Sequence, residues 1–299
     1  MIVDAHHHIW RRSDLPWLLG PTHPRIFGPY DGLKRDYLIA DFLSDLNGSG
    51  VNRSVYVQAN WAPNWFADEA RWVATVAAES GWPHAQVAFC DMTQPDARAD
   101  LDTLAAIPLV RGIRHQMHWH DNPLYRFAPS VDTVGSPAVI ANVAALADYG
   151  FVFELQVFAG QIEPALRLVE ACPRTAFVLQ HALMLEDLSE AGIAQWRAAL
   201  DRLAALPHVF CKLSGLGTFQ RKLDPTHIAM VTETALAAFG PDRCLFGSNY
   251  PIERLWTGYG ALFDAHASAL NGVGDTAKAA VLGTTAATVY RLTPTAERG

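Results

Sequence analysis

Short apolar runs alternate with longer stretches of helical periodicity along the whole chain. The runs at 1–6 (MIVDAH), 51–59, 84–92, 109–116, 151–158, 175–182, 208–216 and 243–251 are rich in Val, Ile and Phe. Their hydrophobicity is nearly continuous, as strands covered on both faces require. Residues 65–80, 136–150, 162–172, 193–206 and 226–240 instead place apolar positions three and four apart, and several end at Gly or Pro. Each is predicted as a helix, and 275–292 as a closing helix.

Strict alternation of this kind predicts a (β/α)₈ barrel, with residues 1–299 forming one domain. A doubly wound sheet is the runner-up, but no Gly-rich phosphate loop follows the first strand. Two connections are too long for turns, from Trp10 to about Ile39 and from His118 to Pro137. Both follow strands and are expected at the C-terminal mouth, where barrel enzymes keep their active sites. They carry Trp10, Arg11, Arg12, Trp17, His23, Arg25 and Tyr30 in the first and Trp119, His120, Tyr125 and Arg126 in the second. The expectation is a lid over a small polar ligand, anionic or sugar-like.

Composition narrows the class. The 299 residues are 50% hydrophobic and 18% charged, enough for a large core, and the net charge is -7 without a basic cluster. Nucleic acids and anionic membranes are therefore poor partners. No apolar run approaches a membrane span, and the N-terminus enters a strand without a signal-like segment, so a cytoplasmic protein is expected. Cys90, Cys172, Cys211 and Cys244 show no CxxC pairing and read as buried small hydrophobes. A homo-oligomer is left open.

Candidate chemistry lies at the strand ends. Side chains alternate along a strand, so Asp4, His6 and His8 are expected on one face and His7 on the other. With His181 at the end of strand six, His6 and His8 form a candidate set for one divalent ion. Gln58, Asn60, Arg114, Gln116, Glu154, Gln156, Lys212 and Ser214 add polar groups where a barrel interior would otherwise be apolar. Buried charges must pair with each other or with a ligand. A structural ion pair competes with a functional role for Lys212 and Glu154, while Arg114 suits a carboxylate or polarised carbonyl. No G-x-S-x-G elbow, H-E-x-x-H or P-loop is present.

DAHHHIW at 4–10, VRGIRHQ at 110–116, VLQHA at 178–182, CKLSGL at 211–216 and LFGSNYPIE at 245–253 together resemble the amidohydrolase superfamily. More narrowly, they resemble its lactonase branch of sugar-lactone and pyrone-dicarboxylate lactonases. The resemblance implies attack of water on a lactone carbonyl at the barrel mouth, with decarboxylases and hydratases among the relatives. It matches His6 and His8 to the strand-one pair and His181 to the strand-six histidine. Asn249 stands where the family usually has an aspartate that serves as base and metal ligand. An amide cannot ionise. No pattern for a carboxylated lysine occurs on strand four, where Arg114 and His115 stand, which argues against a binuclear site.

Three readings follow. In the first, a lactonase dispenses with metal, using Arg114 and Lys212 to polarise the carbonyl and His181 as base, with Glu253 a spare carboxylate at the rim. In the second, one ion, zinc or manganese, sits on His6, His8 and His181 and supports lactone hydrolysis, decarboxylation or hydration. In the third, a non-catalytic barrel binds a sugar acid or lactone. The expected catalytic set is His181, Arg114, Asn249 and Lys212. Trp10, Gln58, Asn60, His115, Gln156, Trp119, His120 and Glu253 are expected to bind substrate.

Overall fold

The computed structural model describes residues 1–292 of the chain. Eight parallel strands follow one another in spatial order: β1 Val3–His7, β2 Arg53–Val57, β3 Ala85–Phe89, β4 Val110–Arg114, β5 Val152–Leu155, β6 Phe177–Leu179, β7 Val209–Leu213 and β8 Cys244–Phe246. Helices intervene and cover the outer face, so the predicted single (β/α)₈ barrel is the observed one. The last residues of the expected domain, 293–299, lie outside the described part.

Local sequence sets the helix ends. Phe66–Ser80 stops at Gly81 and Pro137–Tyr149 at Gly150, both with positive φ, the conformation a glycine cap supplies. Pro225–Phe239 starts at Asp224, whose carboxylate accepts from the backbone N–H of Thr226 and His227 at 3.1 Å each. Ile39–Asp45, Arg98–Ala105 and Tyr259–Ser268 are helices that the periodicity did not reveal. The closing helix is interrupted by a π-helical stretch, Ala280–Thr284. No described helix is long and apolar enough to cross a membrane.

The interior is layered. Val3, Ala5, Val55, Val57, Ala85, Val87, Val152, Val178 and Leu245 fill its lower half, packed on Ala286, Val289 and Tyr290 from below. Above them Lys212 and Glu154, both fully buried, pair at 2.6 Å. Glu154 also accepts from Gln180 Nε2 at 2.6 Å and from the Tyr290 hydroxyl. Polar groups take over only from this level to the mouth.

The β8–β1 seam closes beyond the regular ladder. His8 N donates to the Tyr250 carbonyl and Asn249 N to the His6 carbonyl, each at 2.7 Å. Asp4 clasps the seam, accepting from Ser248 N at 2.8 Å and the Tyr259 hydroxyl at 2.9 Å. This corrects the expectation that Asp4 shares a face with His6 and His8. The register of β1 shifts between Asp4 and His7, which breaks the simple alternation. His7 stacks on Phe42 of the outer layer, with ring centroids 3.8 Å apart.

Candidate active site

A cavity opens at the C-terminal mouth. Its floor and walls include His8, Asn60, Arg114, Gln116, Gln156, His181, Met184 and Asn249, and its roof includes Trp10, Trp17, Arg25, Ile26 and Phe27 from the loop after β1. The first long loop is thus the expected cover.

The chain bends sharply to build this mouth. Asn60, His181, Met184 and Asn249 all line it with left-handed φ between 47° and 61°. Such non-glycine residues carry backbone strain that clusters at functional sites. The bend after β6 is the strongest: His181, Ala182, Leu183 and Met184 are left-handed in succession. Trp196 Nε1 donates to the Ala182 carbonyl at 2.7 Å and holds the turn. The result points both His181 and Met184 into the cavity. Gly215 makes room for His181 and Asn249, since a Cβ there would lie 2.6 Å from His181 Nδ1 and 3.2 Å from Asn249 Nδ2.

Three imidazoles cluster here. The His6 ring lies 5.1 Å from that of His8 and 4.9 Å from that of His181. His8 Nδ1 is 2.7 Å from the Val57 carbonyl. A carbonyl only accepts, so neutral His8 carries its proton on Nδ1 and Nε2 is left as a lone-pair acceptor. His181 Nδ1 meets the Ser214 hydroxyl at 2.9 Å. Burial first, then the Arg114 cation, pushes both His8 and His181 down to about 3. Both rings are therefore neutral near pH 7.

Arg114 is buried beside them, donating to the Gln58 carbonyl and to Gln180 Oε1, with its Nε unpartnered. Burial lowers it only to about 10, opposed by Glu154, so the guanidinium keeps its charge. Gln58 lies beneath the cavity wall; its side chain accepts from Asn60 N at 2.7 Å. It supports the site and does not line it. Gln156 and Trp10 line the cavity as expected, Gln156 bonded to Gln116 at 3.2 Å and Trp10 to the Arg35 carbonyl at 2.8 Å.

Other expected residues fall elsewhere. Lys212 lies below the cavity, held by both Glu154 oxygens, which favours the structural ion pair. Glu253 is buried behind Asn249, not exposed at the rim, and accepts from Trp256 Nε1 at 2.7 Å. Burial raises its carboxyl to about 8. His115 lies outside the cavity because it follows inward-facing Arg114 by one residue; it accepts from Met92 N at 3.1 Å. Trp119 and His120 line a separate cleft with Tyr125, Phe158 and Glu186. Gln161 draws that loop outward, bonding Trp119 N at 2.8 Å and the Met117 carbonyl at 3.0 Å. Met184, Phe27, Thr218, Phe219 and Gly215 line the cavity without having been expected there.

The imidazoles are donors of the right type for a divalent ion, and both nitrogens of buried His6 lack partners. The arrangement nevertheless does not fit one. Among the described residues no three His, Cys, Asp or Glu side chains are placed to share an ion. Asn249 offers no negative charge, and Arg114 stands among the rings as a competing cation.

The comparisons agree with this architecture. The family model described as Amidohydrolase matches residues 3–292. An uncharacterized protein of Sinorhizobium fredii is 32% identical over 293 residues, covering 97% of this chain and 98% of its own. An L-fucono-1,5-lactonase of Burkholderia multivorans is 32% identical over 270 residues, covering 86% of this chain and 84% of its own. A crystal structure of an amidohydrolase from Burkholderia multivorans with bound zinc aligns with a TM-score of 0.82 at 29% identity, covering 98% of this chain and 100% of that one. As its motifs anticipate, the chain belongs to the amidohydrolase family.

Proposed function

We propose that this protein is a hydrolase that opens a small polar lactone by attack of water on the carbonyl. The reading rests on one observation above all. The neutral imidazoles of His8 and His181 face the same cavity as the Arg114 guanidinium. That places proton acceptors beside a fixed positive charge, the pairing that acyl transfer to water needs. The similarity to an L-fucono-1,5-lactonase supports the same reaction class.

In this mechanism Arg114 holds the carbonyl oxygen. His8 Nε2 accepts a hydrogen bond from water and orients it. Water oxygen bonds to the carbonyl carbon while its proton passes to His181, whose Nδ1–H donates to Ser214 Oγ. The developing oxyanion offsets the Arg114 charge, which raises the proton affinity of His181 as the transfer occurs. Collapse of the intermediate breaks the ring C–O bond, and the leaving alkoxide takes the proton back from His181. The product is a hydroxy acid. Asn249 positions groups by hydrogen bonding and takes no proton.

The zinc in the Burkholderia structure is a property of that protein. The donor set here supports water activation by imidazole, and no step above depends on a metal.

A panel of sugar lactones followed with a pH indicator tests the reading. Turnover above background is expected, and His181→Asn should lower it by about 10²–10⁴. Absence of turnover across the panel would leave a binding barrel instead. Full activity in the variant would remove His181 from the chemistry.

A further inference from the structure

The lining of the cavity contains two guanidiniums, Arg114 on the floor and Arg25 in the roof, and no aspartate or glutamate. This is unexpected in a chain of net charge -7. Three other cations of the same loop are neutralised: Arg11 pairs with Asp14 at 2.5 Å, Lys34 with Asp31 at 3.5 Å and Arg35 with Asp41 at 3.6 Å, while Arg12 Nε donates to the Leu18 carbonyl at 3.3 Å. Arg25 has no carboxylate partner among the described residues, and its Nε is buried without an acceptor.

Arg25 is also held in place. Its guanidinium carbon lies 4.8 Å from the centroid of a Trp17 ring and 5.8 Å from that of Tyr30. Trp17 is itself tied to the end of β2, donating Nε1–H to the Ala59 carbonyl at 3.0 Å. Behind Arg25 the chain turns at Gly28, whose N donates to the Arg25 carbonyl at 2.8 Å. A Cβ at Gly28 would lie 2.6 Å from Arg221 Nε, so a further guanidinium packs against the turn. An aromatic shelf and a turn thus fix a charged fork over a cavity without an anion of its own. Leaving a guanidinium unpaired against apolar surface costs free energy that a bound anion recovers.

We infer that Arg25 is a specificity-determining residue that seats a carboxylate of the substrate, so the lactone opened here carries a free carboxylate besides its ring ester. This rests on the lactonase reading for the reaction and on the cavity alone for the charge. The two guanidiniums divide the work: Arg114 takes the carbonyl oxygen and Arg25 the carboxylate. The hydrolysis product is then a dianion.

The test separates charge selection from catalysis by titrating the purified chain with D-glucarate, a dianion, and D-gluconate, its monoanionic counterpart, following tryptophan fluorescence from Trp17 and Trp10. The dianion should bind about tenfold or more tightly than the monoanion, as one added charge-assisted contact implies. Arg25→Gln should bring the two together. Equal binding of both anions by the unaltered protein overturns the inference, as does a preference that survives in Arg25→Gln or failure of the dianion to bind. D-glucaro-1,4-lactone and D-glucono-1,4-lactone are then compared as substrates. An Arg25-dependent preference for glucarate without turnover of either lactone sustains the anion seat and counts against the lactonase reading. Turnover of both at equal kcat/KM, unchanged by Arg25→Gln, sustains the lactonase and removes the seat.

Discussion

The indole N–H of Trp196 bonds to the carbonyl of Ala182 at 2.7 Å, from a helix outside the barrel to the middle of the left-handed turn that carries His181. No glycine relieves that turn, so the bond holds strain that the turn would otherwise release. Trp196→Phe keeps most of the ring packing and removes the donor. It should cost about 1–3 kcal/mol of stability and lower kcat about ten- to a hundredfold through misplacement of His181. Thermal melts and lactone kinetics check both effects. An unchanged kcat would mean the turn holds itself.

The buried pair of Lys212 and Glu154 gives a prediction of opposite character. If Lys212 is structural, Lys212→Met strands a buried carboxylate and destabilises the fold by about 3–5 kcal/mol. Lys212→Met combined with Glu154→Gln should recover much of that loss and retain turnover. A stable double variant with no activity would return Lys212 to the chemistry.

Much of this was legible in the sequence. The eight strands could be read because each is a compact β-branched or aromatic run. The inward direction of His6 and His8 followed from alternation, and Arg114 from its place in β4. Asp4 was misjudged because the register shift at β1 leaves no mark in composition. His115 was misjudged although alternation from inward-facing Arg114 turns it outward, whereas Trp119 and His120 were misjudged because side-chain direction well beyond a strand end depends on distant partners, here Gln161. The turn at 181–184 reads His-Ala-Leu-Met, which carries no signal of left-handed backbone; only tertiary bonding imposes it.

The pH dependence of stability should have two limbs. His8 and His181 have folded pKa values near 3, below the ordinary 6.5, so the unfolded chain binds more protons as the solution is acidified. Their contribution is intact above about pH 6.5 and falls progressively as pH drops toward 3. Glu253 is raised to about 8 by burial, so its contribution is full below about pH 4.5 and is lost as pH rises through 8. Melting temperatures across pH 4–9 check this. Burial raises Glu69 to about 7, so it shares that limb; Glu253→Gln should reduce the alkaline limb and leave the acid limb alone, and parallel curves for variant and parent would rule the assignment out.

The arrangement of His6, His8, His181 and Asn249 also sets an expectation for metal. Protein purified without a histidine tag or chelator should hold well under one zinc or manganese per chain by mass spectrometry. Lactone turnover should survive dialysis against a chelator. One ion per chain, with activity that disappears on its removal and returns on its addition, would require the imidazoles to rearrange around it.

The clasp at Asp4 bears on how the chain is made. Its bonds to Ser248 and Tyr259 join residues 244 and 255 positions apart, so β1 waits without its final neighbour until nearly all of the polypeptide has left the ribosome. An unpaired strand edge is a template for association with other chains. Weakening Asp4 should therefore show itself in the cell less as lost catalysis than as aggregated nascent protein.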